Sequence, residues 1–137
     1  QVAALQKASD AVFVHHAVQD YAVRLVMTTR DPARWGMPDL AGQIALGASP
    51  RGTLGLIAAA RALAVLRGRR YVVPQDVFDV APEVLRRRIT LTYDALADGV
   101  RTDDVLREML SRVNAPRVSS QIPQGNQADT LVVRAAG

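Results

Sequence analysis

The sequence predicts a mainly all-α protein, a small helical bundle with two very short strands, and three observations support this. Apolar residues recur at helical spacing in four separate stretches, aromatic residues make up only 4%, and cysteine is absent. A core built from Leu, Val, Ile and Ala suits close helix packing, and a chain without cysteine has neither disulfides nor a thiolate metal site. At 137 residues the chain fits one ordinary domain.

Two of the predicted helices lie in the first half of the chain, after a segment, residues 1–9, that is typical of a helix end. From His15 to about Arg30, apolar residues fall at positions i, i+3, i+4 and i+7, and a proline then stops the helix. Residues 51–67 are apolar almost all round. This pattern predicts the central, buried helix of the bundle.

Two further helices are predicted in the second half. One begins at Pro74 and is expected to kink or restart at Pro82, since proline lacks the N–H that a helix interior uses. The other begins at Thr102, the predicted N-cap, and carries its buried stripe over residues 105–113. In both segments the apolar residues recur with the period expected of an amphipathic helix.

Residues between the helices are predicted to include the short strands. Residues 12–14 and 71–73 are rich in β-branched and aromatic side chains, which favours a strand at each place. Residues 89–93 alternate in the manner of a strand and could be either paired or an extended surface segment. Residues 31–48, with three glycines and two prolines, are predicted to be a loop.

The domain boundary is predicted near a proline. Residues 1–116 read as one helical domain, and residues 117–137, rich in Ser, Gln, Gly and Asn, read as a mostly flexible tail. The chain begins at Gln1 within a helical pattern, which we interpret as the mark of a fragment. No apolar run reaches the ~18 residues that span a bilayer and no signal peptide is visible. A cytoplasmic protein without a membrane partner is therefore expected.

The charge pattern is basic but modest. The net charge is +4, and among the 17 basic residues only Lys7 is lysine. Arginine suits phosphate contact, yet a general compositional bias of the source explains this excess equally simply, so no nucleic-acid partner is expected. The runs at 67–70 and 86–88 sit at predicted helix C-termini, where cations are favoured, or else form a surface for phosphate or an acidic partner.

Two motifs that suggest catalysis or metal binding are rejected. Gly47-x-x-x-x-Gly52-Thr53 resembles a phosphate-binding P-loop but lacks its lysine, and no clear buried strand leads into it. His15 and His16 are neighbours whose side chains would point about 100° apart on a helix, so they are expected to be structural or surface residues. No metal site and no complete ATPase site is predicted.

Arg51 is the strongest candidate for a functional residue. Ser49 is a plausible N-cap and Pro50 a suitable first helical residue, which would place Arg51 in the first turn of the central helix. An arginine there, beside a glycine-rich loop, can reach a phosphate held by a neighbouring domain.

The residues GASPRGTLGLIAAARALAVLRGRRYVVPQDVFDVAPEVLRRRI (47–89) closely resemble the lid subdomain of MoxR-type AAA+ ATPases. Matches at Phe13-Val14-His15, Asp20-Tyr21, Thr29-Arg30 and residues 91–96 extend the resemblance to about residues 1–115. The family usually reads Leu-Arg-His-Arg where this chain has Leu-Arg-Arg-Arg at 85–88, so any role of that histidine does not transfer.

The resemblance implies a C-terminal lid with the AAA+ lid type of helical bundle. Arg51, with Ser49 and Pro50 beside it, would be the sensor-two arginine, and Tyr21 or Leu25 would cover the adenine. ATP and Mg would be held mainly by an N-terminal nucleotide-binding domain of the same chain, so the lid alone would not catalyse hydrolysis. The family also implies a homo-oligomer, commonly a hexamer, with chaperone-like remodelling and von Willebrand factor A domain proteins as partners.

Two other functions remain open on the sequence alone. A stand-alone basic helical module would bind nucleic acid, and its binding would weaken steeply with salt. A docking adaptor would instead hold a protein partner without any nucleotide domain.

Overall fold

The protein is described by a computed structural model over residues 2–116, apart from the side chains of residues 2, 5 and 6. The predicted flexible tail, residues 117–137, lies outside the described residues. The described part confirms the mainly α-helical fold class. Its elements are α1 (Val2–Asp10), α2 (His16–Arg30), a 3-10 turn (Ala33–Trp35), α3 (Pro38–Ala41), β1 (Ile44–Leu46), α4 (Gly52–Leu66), α5 (Pro74–Leu85), a 3-10 turn (Arg86–Arg88), β2 (Thr90–Leu91), α6 (Tyr93–Ala97) and α7 (Thr102–Arg112).

The start of α2 explains the histidine pair. His15 is the N-cap, and its Nδ1 accepts a hydrogen bond of 3.0 Å from the backbone N–H of Ala17. The imidazole thus satisfies one of the free donors that every helix N-terminus presents. His15 is 5% exposed, whereas His16 is exposed to solvent. These are the structural and surface roles that the sequence predicts.

α4 occupies the centre of the bundle and packs against α1, α2 and α5. Its buried residues recur every fourth position, and most are small, so neighbouring helices approach closely. The predicted central position is confirmed, but complete burial is wrong, because Leu54 and Leu66 are 72% and 73% exposed. In a domain of this size even the central helix keeps one side on the surface. None of the helices in residues 2–116 is long and apolar enough to cross a membrane.

α2, α5 and α7 complete the core with the stripes that their periodicity predicts. α5 continues through Pro82 without a break, so the predicted restart is wrong. The N-cap of α7 is Arg101 and not Thr102, because the Asp104 carboxylate accepts the Arg101 backbone N–H at 3.2 Å. The buried apolar residues of the three helices are Val18, Tyr21, Ala22, Leu25, Val26, Val77, Ala81, Leu85, Val105, Leu106, Met109 and Leu110.

The segment predicted as a loop, residues 31–48, is more ordered than expected. It holds a 3-10 turn, α3 and β1, and β1 pairs antiparallel with β2 in a two-stranded sheet. Ile44 lies opposite Leu91. The partner strand lies more than forty residues away, so no local pattern in residues 31–48 shows the pairing. The same pairing settles the alternatives for residues 89–93 in favour of a paired strand.

The other two predicted strands form only one bridge. Residues 12–14 and 71–73 meet in parallel, where Phe13 N–H donates to Arg70 O and Val72 N–H donates to Phe13 O, each at 2.9 Å. These two bonds tie the end of α1 to the connection between α4 and α5. Residues 12–14 lie between α1 and α2, and residues 71–73 lie between α4 and α5. Because helices flank both segments, a single bridge is enough to join them.

A buried carboxylate stabilises the connection from α4 to α5. Asp76 is 0% exposed and accepts hydrogen bonds from both terminal nitrogens of Arg69, at 2.7 and 2.6 Å, and from Arg67 at 3.0 Å. It also accepts the Val73 backbone N–H at 2.9 Å, which caps α5. One side chain therefore holds the end of α4, the connection and the start of α5 together.

The ionisation of Asp76 contributes to stability. Burial raises the pKa of its carboxyl group, but the hydrogen bonds from Arg69 and Val73 and the arginine charges outweigh burial, so the pKa is lowered overall. A carboxyl group whose pKa is lower in the folded state stabilises the fold at pH values above its unfolded pKa of about 3.9. That contribution is lost as pH falls through the folded pKa.

The substitution Asp76→Asn should lower the free energy of unfolding by roughly 3 kcal/mol at neutral pH, because it leaves two arginines facing an uncharged group. This loss of stability lies at the low end of the range for breaking a buried ion pair, because the Arg67 side chain is 40% exposed. Urea unfolding measures the difference, which should shrink below about pH 4. Asp79→Asn, at a more exposed partner of Arg67, should cost less than about 1 kcal/mol. Equal losses in the two variants would contradict this interpretation of Asp76.

Candidate functional site

The candidate site is built around the loop of residues 47–51, which joins β1 to α4. Gly47 lies directly against the end of α2. A Cβ atom at this position would overlap the backbone carbonyl of Thr29 and lie 2.7 Å from the Cα of Arg30. Only glycine permits this approach, so the loop is held close to α2 from its first residue.

Ala48 is fixed to α2 through both of its backbone polar groups. Its N–H donates to Thr29 Oγ1 at 2.9 Å, and its carbonyl accepts from an Arg30 terminal nitrogen at 3.2 Å. The Thr29 hydroxyl donates in turn to Val26 O at 2.6 Å. Ala48 and Thr29 are both 0% exposed, so the two bonds of the Thr29 hydroxyl are shielded from water, whereas the bond from Arg30 is only partly buried. We call this contact between Ala48, Thr29 and Arg30 the loop anchor.

From the loop anchor the chain turns tightly into α4. The Gly52 N–H donates to Ser49 O at 2.8 Å and the Thr53 N–H to Pro50 O at 3.1 Å. The helix cap is Arg51, with helical backbone angles, and Ser49 makes no side-chain cap bond. The prediction of Ser49 as N-cap is therefore wrong, because an i to i+3 turn takes the place of a side-chain cap.

Arg51 stands at the entrance of α4 with its side chain exposed. Within residues 2–116 its guanidinium forms no hydrogen bond or ion pair. Its backbone, in contrast, is held by the turn and the loop anchor. The arrangement presents a free cation on a rigid support, at the end of the helix where the backbone dipole favours anions.

Three arginines of the basic runs differ from Arg51 in this respect. Arg67 and Arg69 are paired with the carboxylates of α5, as described above, and Arg86 donates to Asp103 at 2.6 Å and to Glu83 at 3.2 Å. These arginines mainly neutralise acidic side chains of the domain itself. Their pairing leaves less of each run available for an external anion than the sequence suggests.

Tyr21 and Leu25, the residues predicted to cover the adenine, are both 0% exposed in the core. Burial raises the pKa of the Tyr21 hydroxyl, and the charge of Arg24 partly offsets this. In this arrangement neither side chain has surface for a base. The helical period of α2 predicts their place on the buried face, whereas the adenine contact was implied only by the family resemblance.

Arg88 is a neighbour of Arg51 that the sequence interpretation did not single out. Its side chain crosses the first turn of α4, where a Cβ atom at Gly52 would lie 3.7 Å from Arg88 Cδ. A Cβ atom at Gly55 would lie 3.4 Å from an Arg88 terminal nitrogen. The sequence signal for this contact of Arg88 is the pattern Gly-x-x-Gly at 52–55, because it leaves one face of the helix without side chains.

The comparisons with known proteins agree with this geometry. The sequence profile of the AAA lid domain family matches residues 40–109, a range that contains the loop anchor's Ala48, the whole of α4 and Arg88. The chain belongs to the AAA lid domain family.

Its relatives include MoxR proteins. The chain is similar to Chaperone MoxR1 of Mycobacterium tuberculosis, with 49% identity over 132 residues, 96% of this chain and 35% of the relative. It is 34% identical to Protein MoxR of Methylorubrum extorquens over 112 residues, 77% of this chain and 32% of the relative. The chain thus spans about a third of the length of these proteins. The lid is that of a MoxR-family AAA+ ATPase.

A solved structure supports the same assignment. The crystal structure of a protein from Cytophaga hutchinsonii, proposed to be an ATPase, superposes with a TM-score of 0.78 at 34% sequence identity. The match covers 81% of this chain and 34% of that protein.

The substitution Thr29→Val should loosen the loop anchor while keeping the side chain's shape. It leaves the buried Ala48 N–H without an acceptor, which should cost about 1–3 kcal/mol in unfolding free energy. Hydrogen exchange at the Ala48 amide should accelerate. Thr28→Val is the matched control, since Thr28 is equally buried but donates only to Arg24 O in its own helix. An Ala48 amide equally protected in both variants would show that Thr29 is not the anchor.

Proposed function

We propose that this lid places the guanidinium of Arg51 on the γ-phosphate of ATP, as the sensor-two residue. The nucleotide, with its Mg, would be bound mainly by a nucleotide-binding domain of the same protein. The observation that carries the proposal is the combination of an exposed, unpaired Arg51 guanidinium with a backbone fixed by the loop anchor and the turn into α4.

The chemistry of phosphate transfer suits such an arginine. Charge spreads over the equatorial oxygens of the transferred phosphoryl group, and a positioned guanidinium can donate two parallel hydrogen bonds to them. Because the support is rigid, little reorganisation is needed when the charge develops. Ser49 and Pro50 contribute by their backbone carbonyls, which accept the first hydrogen bonds of the turn.

The lid does not carry out hydrolysis on its own in this proposal. The segment resembling a P-loop does follow a short strand, β1, but that strand pairs only with β2 and is largely exposed. Pro50 and Arg51 form a helix-entry turn, and the chain's one lysine, Lys7, lies in α1. The triphosphate therefore needs a cradle from outside this lid.

The same arrangement would couple the nucleotide to lid movement. Arg51 is joined through α4 to α1, α2 and α5, so the lid would respond to the γ-phosphate as one body. Loss of the γ-phosphate on hydrolysis would release this contact and change the lid angle. In the complete protein we propose that this change drives chaperone-like remodelling in a homo-oligomeric ring, commonly a hexamer, in the cytoplasm. Von Willebrand factor A domain proteins would be partners.

Arg51→Ala in the full-length protein should lower kcat for ATP hydrolysis by roughly 10²-fold or more, because a transition-state contact is lost. The stability of the lid should change by less than about 0.5 kcal/mol, since the side chain is exposed. Arg51→Lys should restore only part of the rate, as lysine cannot donate the bidentate pair.

Arg107→Ala is the control for this prediction, at an exposed arginine of α7 that forms no ion pair in the described part of the chain. It should leave turnover unchanged. Unchanged turnover together with unchanged ATP affinity in Arg51→Ala would remove the sensor-two assignment.

A further inference from the structure

Arg88 lies in a groove that the first turn of α4 leaves open. Its Cδ approaches Gly52, and one terminal nitrogen and Cζ lie 3.4 and 3.9 Å from a Cβ position at Gly55. Side chains at either glycine would be in contact with it, and Val84 limits the groove on the α5 side, 3.3 Å from the same Cβ position. The exposed Arg88 side chain thus reaches Gly55, which is one helical turn along α4 from Arg51.

The charge of Arg88 has no counterpart within the lid. Within residues 2–116 it forms no hydrogen bond or ion pair, whereas Arg86, two residues earlier, has two acidic partners. Arg30 is close as well, since its guanidinium donates to Ala48 O, just before the turn. The described residues therefore gather three arginines around the entrance of α4, and none of the three forms an ion pair.

All three side chains are exposed, so an external anion can reach them and would be attracted by their combined charge. A nucleoside triphosphate carries several anionic groups within a few ångströms of each other, so it can occupy two guanidinium groups at once. A lone carboxylate from a protein partner would satisfy one arginine and leave the other. The spacing of one helical turn between Arg51 and the Arg88 contact at Gly55 suits adjacent phosphates of one chain.

We propose that Arg88 is a second phosphate-binding arginine of this site, contacting the polyphosphate of the same nucleotide as Arg51. The inference rests on the proposed function, and it adds a residue with a different role. Arg51 would act mainly on turnover, at the γ-phosphate. Arg88, lying against the glycine face of α4, would act mainly on nucleotide affinity.

The direct test is ATP binding and turnover of Arg88→Ala in the full-length protein. The Kd of a non-hydrolysable ATP analogue, measured by calorimetry, should rise roughly 10-fold or more, with a smaller change in kcat. Arg87→Ala is the matched control, because Arg87 is exposed, belongs to the same 3-10 turn and has no ion pair in residues 2–116. It should bind the analogue as the unmodified protein does.

Gly55→Ala tests the position of Arg88 without removing its charge. The added methyl group would lie 3.4 Å from the Arg88 terminal nitrogen and 3.3 Å from Val84 Cγ1, so it should displace the guanidinium slightly and weaken analogue binding less than Arg88→Ala does. In the background of Arg88→Ala the same substitution should have no further effect on Kd, because no guanidinium remains to be displaced. A purely structural effect of the methyl group would instead appear in both backgrounds and would count against the proposal.

The possible outcomes separate this inference from the proposed function. If Arg51→Ala loses turnover but Arg88→Ala binds the analogue like Arg87→Ala, Arg88 is not a phosphate contact and the sensor assignment stands. If Arg88→Ala keeps its affinity but loses self-association, Arg88 serves a protein contact and the inference is overturned. If both single variants behave like their controls, the proposed function fails and the inference fails with it.

Discussion

The hydrogen bond from the Ala48 N–H to the Thr29 hydroxyl is the contact on which the rest of the site depends. It is buried, it is backed by a second bond from Arg30 to Ala48 O, and Gly47 permits it by leaving room for the end of α2. Because loops are usually the mobile part of a domain, a functional side chain on a loop needs such a fixed point. Here the fixed point lies three residues before Arg51, and the turn into α4 transmits its position.

The opposite end of α4 is held by a different kind of interaction. Asp76 gathers Arg67 and Arg69 and caps α5, so the helix is fixed by hydrogen bonds to a buried hydroxyl at one end and by a charge network at the other. Between the two ends small residues pack closely against three helices. A push on Arg51 would therefore move α4 and its neighbours together, as a lid that follows the nucleotide requires.

The sequence predicted what is encoded locally. The periods of α2, α4, α5 and α7 are visible within each helix, and the Ser-Pro-Arg sequence at the entry to α4 made Arg51 the candidate. Contacts between distant segments could not be predicted in this way. The pairing of β1 with β2, the loop anchor of Thr29 on Ala48 and the passage of Arg88 over Gly55 all join residues more than fifteen positions apart. The period of α2 predicted the burial of Tyr21, but it carries no information on a contact with a nucleotide.

The most direct measurement is a structure of the full-length protein with a non-hydrolysable ATP analogue bound. The account predicts that the Arg51 guanidinium lies about 2.7–3.2 Å from γ-phosphate oxygens, with the loop anchor intact as in the free lid. An Arg51 side chain turned away from the nucleotide, beyond a hydrogen bond or a single bridging water, would contradict the account's central claim.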